Sequence, residues 1–207
     1  MDESRLSVII LAGGQSLRMG EDKAMISIEG IPLIRRIHDV IADCQDGSIT
    51  LANSLYVVTP WVDRYQPILP VTCQFILETQ PQQGPLIGFA QGLSQITSTW
   101  VLLLACDLPN LSTSILQNWI DELIEISPQK MAYLPKNPDG KGWEPLCGFY
   151  RRSCLESLLE YIDTDRRSFQ GWLAGSEVTE LMVADRQIML NCNTPVDLAR
   201  IIRGRSL

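Results

Sequence analysis

Apolar residues recur along this chain in two rhythms, and each predicts one kind of element. Short continuous or β-branched runs fill residues 8–12, 55–59, 74–78 and 100–105, while stretches between them repeat apolar residues every three or four positions. The first pattern reads as strands and the second as one face of a helix. Trp100-Val101-Leu102-Leu103-Leu104-Ala105 shows no polar alternation, as a central parallel strand covered on both faces would. Ile31-Pro32 opens a predicted helix whose Leu33, Ile34, Ile37, Val40 and Ile41 form one face, closing before Asp46-Gly47. A second helix follows TQPQQGP, with Leu86, Phe89, Ala90, Leu93 and Ile96 on one side. A third covers residues 114–126, with Ile115, Leu116, Trp119, Ile120, Leu123 and Ile124 as its buried stripe. Residues 131–135 and 146–150 read as strands around the turn KNPDGKG, and residues 178–183 as a later one. In NTPVDLARII, Thr194 reads as an N-cap, Pro195 as the first helical residue and Asp197 as the partner in a capping box.

This alternation predicts an α/β fold: a three-layer, doubly wound, mostly parallel sheet with helices on both faces and a mixed edge from the later hairpin-like strands. Ligands of such sheets bind outside the carboxyl ends of the strands. Gly13-Gly14 and Asp107 both follow strand ends, which places them beside one crevice.

Length and composition narrow the function. The 207 residues fit a single domain over 1–207, and 45% hydrophobic with 20% charged residues is an ordinary globular composition. A net charge of -7 argues against nucleic acid or an anionic membrane as partner, since both need a broad basic surface. The first apolar run is too short for a membrane span or a signal peptide, so the expected location is the cytoplasm. Cys44, Cys73, Cys106, Cys147, Cys154 and Cys192 form no metal-binding spacing and read as reduced. The one histidine, His38, reads as a surface or satisfied helix residue, and its solitude argues against a Ser-His-Asp hydrolase.

The segment LAGGQSLRMGEDKA, residues 11–24, concentrates the candidate chemistry. Two glycines permit positive φ and close backbone approach to an anion. Arg18 offers a planar fork to phosphate oxygens, and Lys23 a compact charge on a long stem. Neither G-x-x-x-x-G-K-[ST] nor G-x-G-x-x-G is present here.

The whole string resembles the N-terminal signature of nucleotidyltransferases that activate small phosphorylated molecules, L-A-[GA]-G-x-G-T-R-[ML] with a lysine shortly after. Its R-M-G-x-D-K-A portion is similar to that of the molybdenum cofactor guanylyltransferases of the MobA-like family. GPLIGF from Gly84, CDLP from Cys106, EPLCGFY from Glu144 and NCNTPVDL from Asn191 resemble later landmarks of that family, in order. The resemblance implies a nucleotide-diphospho-sugar transferase-like, Rossmann-like fold and transfer of GMP from GTP to the terminal phosphate of molybdopterin carrying molybdenum. Leu11, Ala12 and Gly13 would contact the guanine nucleotide through their backbone. Lys23 would bind its phosphates, Arg18 steady the triphosphate or transition state, and Asp107 hold Mg²⁺. The chain has Thr59 where the family often has asparagine, and Glu78 where it often has aspartate; Glu78 is carried over as a nucleotide-binding position. Arg166, Arg167, Asn191 and Asn193 match positions associated with the pterin. Transient contact with molybdenum-insertion and molybdoenzyme-maturation proteins is also implied.

Plainer readings stand beside these. Alone, Asp107 suits a turn or helix cap, Arg166-Arg167 a solvated helix start, and Asn191 and Asn193 the shape of a turn. Trp143 could plug a core edge or stack on a pterin ring, with the core preferred. The same chemistry with CTP, or on a sugar or alcohol phosphate, is the alternative activity. A silent nucleotide-binding regulator is the alternative from another class, and the presence of Arg18, Lys23 and Asp107 argues against it.

Overall fold

In the computed structural model, which describes residues 5–14, 22–137, 139–192 and 194–205, the apolar runs assemble into one seven-stranded sheet. The chain enters β1 (Leu6–Leu11), makes a short ladder of β2 (Ser27–Ile28) with β3 (Ile31–Pro32), and continues into α1 (Leu33–Ala42). A second short ladder, β4 (Gln45–Asp46) with β5 (Ile49–Thr50), precedes β6 (Leu55–Thr59), the single-turn α2 (Val62–Tyr65), β7 (Gln74–Leu77) and α3 (Pro85–Leu93). There follow β8 (Trp100–Ala105), α4 (Thr113–Asp121), β9 (Ala132–Leu134), β10 (Cys147–Arg151), α5 (Leu155–Asp163), α6 (Phe169–Leu173), β11 (Val178–Glu180) and α7 (Pro195–Arg205).

The sheet order is β11-β9-β10-β8-β1-β6-β7. β1 lies parallel between β6 and β8, with Leu6 opposite Trp100 and Leu11 opposite Ala105. The mixed character expected of the later strands is carried by β10, which runs antiparallel to both β8 and β9. The carboxyl ends of β1, β6, β7 and β8 therefore share one rim.

Successive residues of a strand point to opposite faces, and both faces here are covered. Val8, Ile10, Leu102 and Leu104 pack with Ile34, Ile37, Leu116 and Trp119 of α1 and α4. Ile9, Val101 and Leu103 pack on the other side with Leu86, Phe89 and Leu93 of α3 and Leu158 of α5. This double covering is why β8 shows no polar alternation in sequence. Truncating one of these leucines to alanine would cost about 2–5 kcal/mol. Phe89, Tyr150, Phe169 and Trp172 add an aromatic cluster to the second face, with ring centroids 4.8 Å apart for the first pair.

Several local expectations change. Ile31-Pro32 does not begin the helix: it pairs with Ser27-Ile28, and Pro32 becomes the N-cap of α1. The third predicted helix tightens into a 3-10 turn at Glu122–Glu125, which shifts the phase so that Leu123 stays buried and Ile124 is 71% exposed. His38 is not on the surface. It is buried in α1, with Nδ1 3.0 Å from Asp39 Oδ1 and Nε2 without a partner among the described residues. The capping expectation at α7 holds, as the Thr194 hydroxyl accepts from the Asp197 amide at 3.2 Å and donates to its carboxylate at 2.8 Å. Trp143 is half-buried against the second core face, with the Lys136 ammonium 3.5 Å from its ring centre. All six cysteines are unpaired, and among the described residues no helix is long and apolar enough to cross a membrane.

Candidate active site

The rim formed by the parallel strand ends opens into a cavity of about 470 Å³, within the range of small-molecule sites. Its walls bring together Leu11, Ala12 and Gly13 after β1, Lys23 from the next turn, Glu78 after β7 and Asp107 after β8. Arg18 and Asn193 lie outside the described residues.

The backbone at the end of β1 is fixed from the β6 side. The Ala12 amide donates to the Val58 carbonyl at 3.0 Å, and the Ala12 carbonyl accepts from the Thr59 hydroxyl at 2.9 Å. That hydroxyl also accepts from the Trp61 amide at 3.1 Å. Thr59 is fully buried, so it shapes the loop without reaching the cavity. Neither Gly13 nor Gly14 adopts positive φ, contrary to the expectation for this turn. Proximity is the distinguishing feature of Gly13 instead: a Cβ there would overlap the Glu78 carboxylate, so the end of that side chain would have to turn aside. The left-handed glycine of the cavity is Gly84, at φ 92°, which turns the chain into α3 with Pro85 as its first residue.

Glu78 is buried, and no described residue donates a hydrogen bond to its carboxylate, which lies between Gly13 and Gly88. Burial raises its pKa. A carboxyl raised on folding adds stability only below its unfolded pKa of about 4.3, and that contribution is lost as pH rises through the folded value. Glu78→Gln is therefore expected to melt at a higher temperature than the parent at neutral pH, with the gain shrinking as pH falls toward about 4. Thermal melts across that interval check it; a gain that persists or grows in acid would show another cause.

Lys23 and Asp107 face each other with Nζ 3.3 Å from Oδ2, their side chains 22% and 13% exposed. Burial pushes the Asp107 carboxyl up, and the Lys23 charge partly opposes the shift. Glu144, which does not line the cavity, is raised by burial and by the negative charge of Asp107. The antiparallel β10 brings it near Asp107, since Cys147 lies opposite Leu104. Cys106 also lines the cavity, where burial and the neighbouring carboxylates raise its thiol.

Asn191 stands at the edge of this arrangement: the Cys192 amide next to it donates to the Asp107 carbonyl at 3.0 Å, although Asn191 does not line the cavity. Arg166 and Arg167 lie in the turn between α5 and α6 and line none of it. Arg166 sits 5.7 Å from the Tyr161 ring centre, and Arg167 donates to the Ile162 carbonyl and to Asp165, each at 2.9 Å. Sequence reasoning gave no role to Asp22, Tyr65 or Glu144. Asp22 and Tyr65 line the cavity and are bonded to each other at 2.8 Å.

Comparison with known proteins gives the chain's family. The MobA-like NTP transferase domain family matches residues 8–178. A protein of Nostoc sp. named "Probable molybdenum cofactor guanylyltransferase" is 49% identical over 97% of this chain and 92% of its own length. One of Trichormus variabilis with the same name is 50% identical over the same shares. The crystal structure of molybdopterin-guanine dinucleotide biosynthesis protein A from Archaeoglobus fulgidus superimposes with a TM-score of 0.77, covering 97% of this chain and 98% of that one. At 20% identity, that likeness is one of fold.

Proposed function

The chain belongs to the MobA-like NTP transferase family, and from that premise we propose that it is a molybdenum cofactor guanylyltransferase, moving GMP from GTP to the terminal phosphate of molybdopterin. The observation that carries the reading is the Lys23–Asp107 pair lining one cavity of about 470 Å³ with Leu11, Ala12 and Gly13. An acceptor phosphate oxygen attacks the α-phosphorus of GTP, the new P–O bond forms, and the bond to the β-phosphate oxygen breaks to release pyrophosphate. The attacking phosphate is already ionised near neutral pH, so no general base is needed. Alignment and charge neutralisation are left to the protein.

In this reading, the amides around Gly13 meet the nucleotide at the end of β1, and Lys23 neutralises its phosphates. Glu78 supplies a buried acceptor for donors on the nucleotide. Guanine presents N1–H and its 2-amino group side by side, whereas cytosine presents one exocyclic amine, which favours GTP over CTP at this carboxylate. Asp107 would hold Mg²⁺. Among the described residues no three ligating side chains cluster, and this sparse donor set suits Mg²⁺, which takes one or two carboxylates and completes its shell with water and phosphate. When bound, the ion supplies neutralisation of the charge on the leaving pyrophosphate. Asn191 precedes Cys192, whose amide bonds the Asp107 carbonyl, and the reading keeps it as an acceptor contact. The cytoplasm is kept as the location in this reading, a reducing compartment with which six unpaired thiols are compatible.

Titration calorimetry with GTP, CTP, UTP and ATP tests the reading, each with Mg²⁺ and with EDTA. The expected result is preference for GTP, lost or strongly weakened in EDTA, followed by pyrophosphate release when molybdopterin is added. Preference for CTP would move the activity to the cytidylyl relative. Binding of no nucleotide would overturn the reading.

A further inference from the structure

We propose that Asp22, Tyr65 and Arg64 form a clamp that positions Lys23, so that a residue buried in the core governs how tightly the site grips nucleotide phosphates. The proposal rests on the reading of Lys23 as a phosphate-binding cation. Lys23 projects from a single 3-10 turn, Lys23–Met25, and such a short turn has little rigidity of its own. Asp22 fixes it from the preceding position. Its Oδ1 accepts from the Ala24 amide at 3.1 Å, which caps the turn. Its Oδ2 accepts from the Tyr65 hydroxyl at 2.8 Å and from Arg64 Nη1 at 2.7 Å.

The two partners differ in character. Tyr65 ends α2, is fully buried, and packs in the core that also holds Val8, Ile10 and Ile37, so its hydroxyl is tied to the rigid body of the fold. Arg64 is about half-exposed and lies over the Trp61 ring, 4.8 Å from its centre. Three donors on two carboxylate oxygens make charge-assisted bonds, which are stronger than neutral ones. They also occupy Asp22, although it lines the same cavity as Asp107, and this makes it an anchor rather than a metal ligand.

The connection from β6 into α2 thereby holds two parts of the cavity wall. Thr59, at its start, holds the Ala12 carbonyl; Arg64 and Tyr65, at its end, hold the turn bearing Lys23. Backbone and cation are set by one segment, so their separation is fixed before any ligand arrives. Preorganisation of this kind improves affinity by removing an ordering cost that binding would otherwise bear.

The experiment is a double-mutant cycle read by GTP titration calorimetry in Mg²⁺, with the parent, Tyr65→Phe, Lys23→Ala and the double variant. Tyr65→Phe keeps the ring in the core and removes only the hydroxyl. It is expected to weaken GTP about tenfold alone and to have no further effect once Lys23 is alanine. Arg64→Ala removes the exposed arm without touching the core; it is expected to weaken GTP roughly threefold, and again only when Lys23 is present. Equal factors in both Lys23 backgrounds, or no effect of either variant alone, would overturn the clamp. If Lys23→Ala itself leaves GTP affinity unchanged, the phosphate role of Lys23 fails, and the clamp goes with it. That failure is read from the single variant, separately from the cycle.

Discussion

Asp107→Asn is expected to slow nucleotidyl transfer by roughly a hundredfold or more while leaving the melting temperature at neutral pH unchanged or raised. The two effects have one origin. Burial holds the Asp107 carboxyl above its usual range even with Lys23 beside it. A carboxyl shifted upward on folding stabilises the protein below its unfolded pKa, and that contribution is lost as pH rises through the folded value. At neutral pH the ionised group is therefore a cost to the fold. Asparagine keeps the size and removes the charge, so stability is kept or gained.

Asparagine also separates the two readings of this residue. It caps helices and shapes turns about as well as aspartate, so a purely structural Asp107 would tolerate the change with turnover intact. An anchor for Mg²⁺ would not, because the neutral amide loses the charge that draws the ion. Pyrophosphate release and a thermal melt on the same preparation decide the matter. Near-parental turnover would return Asp107 to the turn.

The fold was legible wherever burial leaves a one-dimensional trace. Residues 100–105 are apolar throughout because helices cover both faces of β8, and the stripe from Leu33 to Ile41 survives because α1 buries one side. Features that depend on short elements left no such trace. Two-residue ladders are too brief for a period to appear, so Pro32 looked like a helix start when it and Ile31 pair with Ser27-Ile28. The change to 3-10 geometry at Glu122 alters the phase by a fraction of a turn, which was enough to misplace Ile124. α5 went unread because Leu158 is its one buried residue, with exposed residues on either side of it.

The cavity divides along the same line. Gly13, Lys23 and Asp107 are marked by residue type next to strand ends, and the structure gathers them as that topology requires. Arg166 and Arg167 matched a motif, and the structure sets them in the turn after α5, where Arg167 bonds Ile162 and Asp165. Asp22 and Tyr65 are 43 residues apart, and nothing in either segment names the other. Glu144 reaches the neighbourhood of Asp107 because β10 returns antiparallel beside β8, a pairing that no local pattern specifies.

Gly13→Ala is expected to weaken GTP binding about thirtyfold and to lower the melting temperature by about 5 °C, the effects of roughly 2 kcal/mol of overpacking in a chain of this size. The added methyl group would overlap the Glu78 carboxylate, so either the end of β1 or Glu78 must move. The β1 end is held by Val58 and Thr59 through both polar groups of Ala12, which leaves little freedom there. Gly14→Ala is the control, since a Cβ at Gly14 meets nothing within 4 Å and should leave the melting temperature close to the parent's. The decisive variant joins Gly13→Ala with Glu78→Asp, which withdraws the carboxylate by one methylene. Recovery of both affinity and stability would show that the glycine exists to accommodate Glu78, and that this chain's longer acid and its small neighbour are matched. Recovery of stability with affinity still lost would show that the nucleotide itself lies against Gly13, and that the missing side chain is space the substrate occupies.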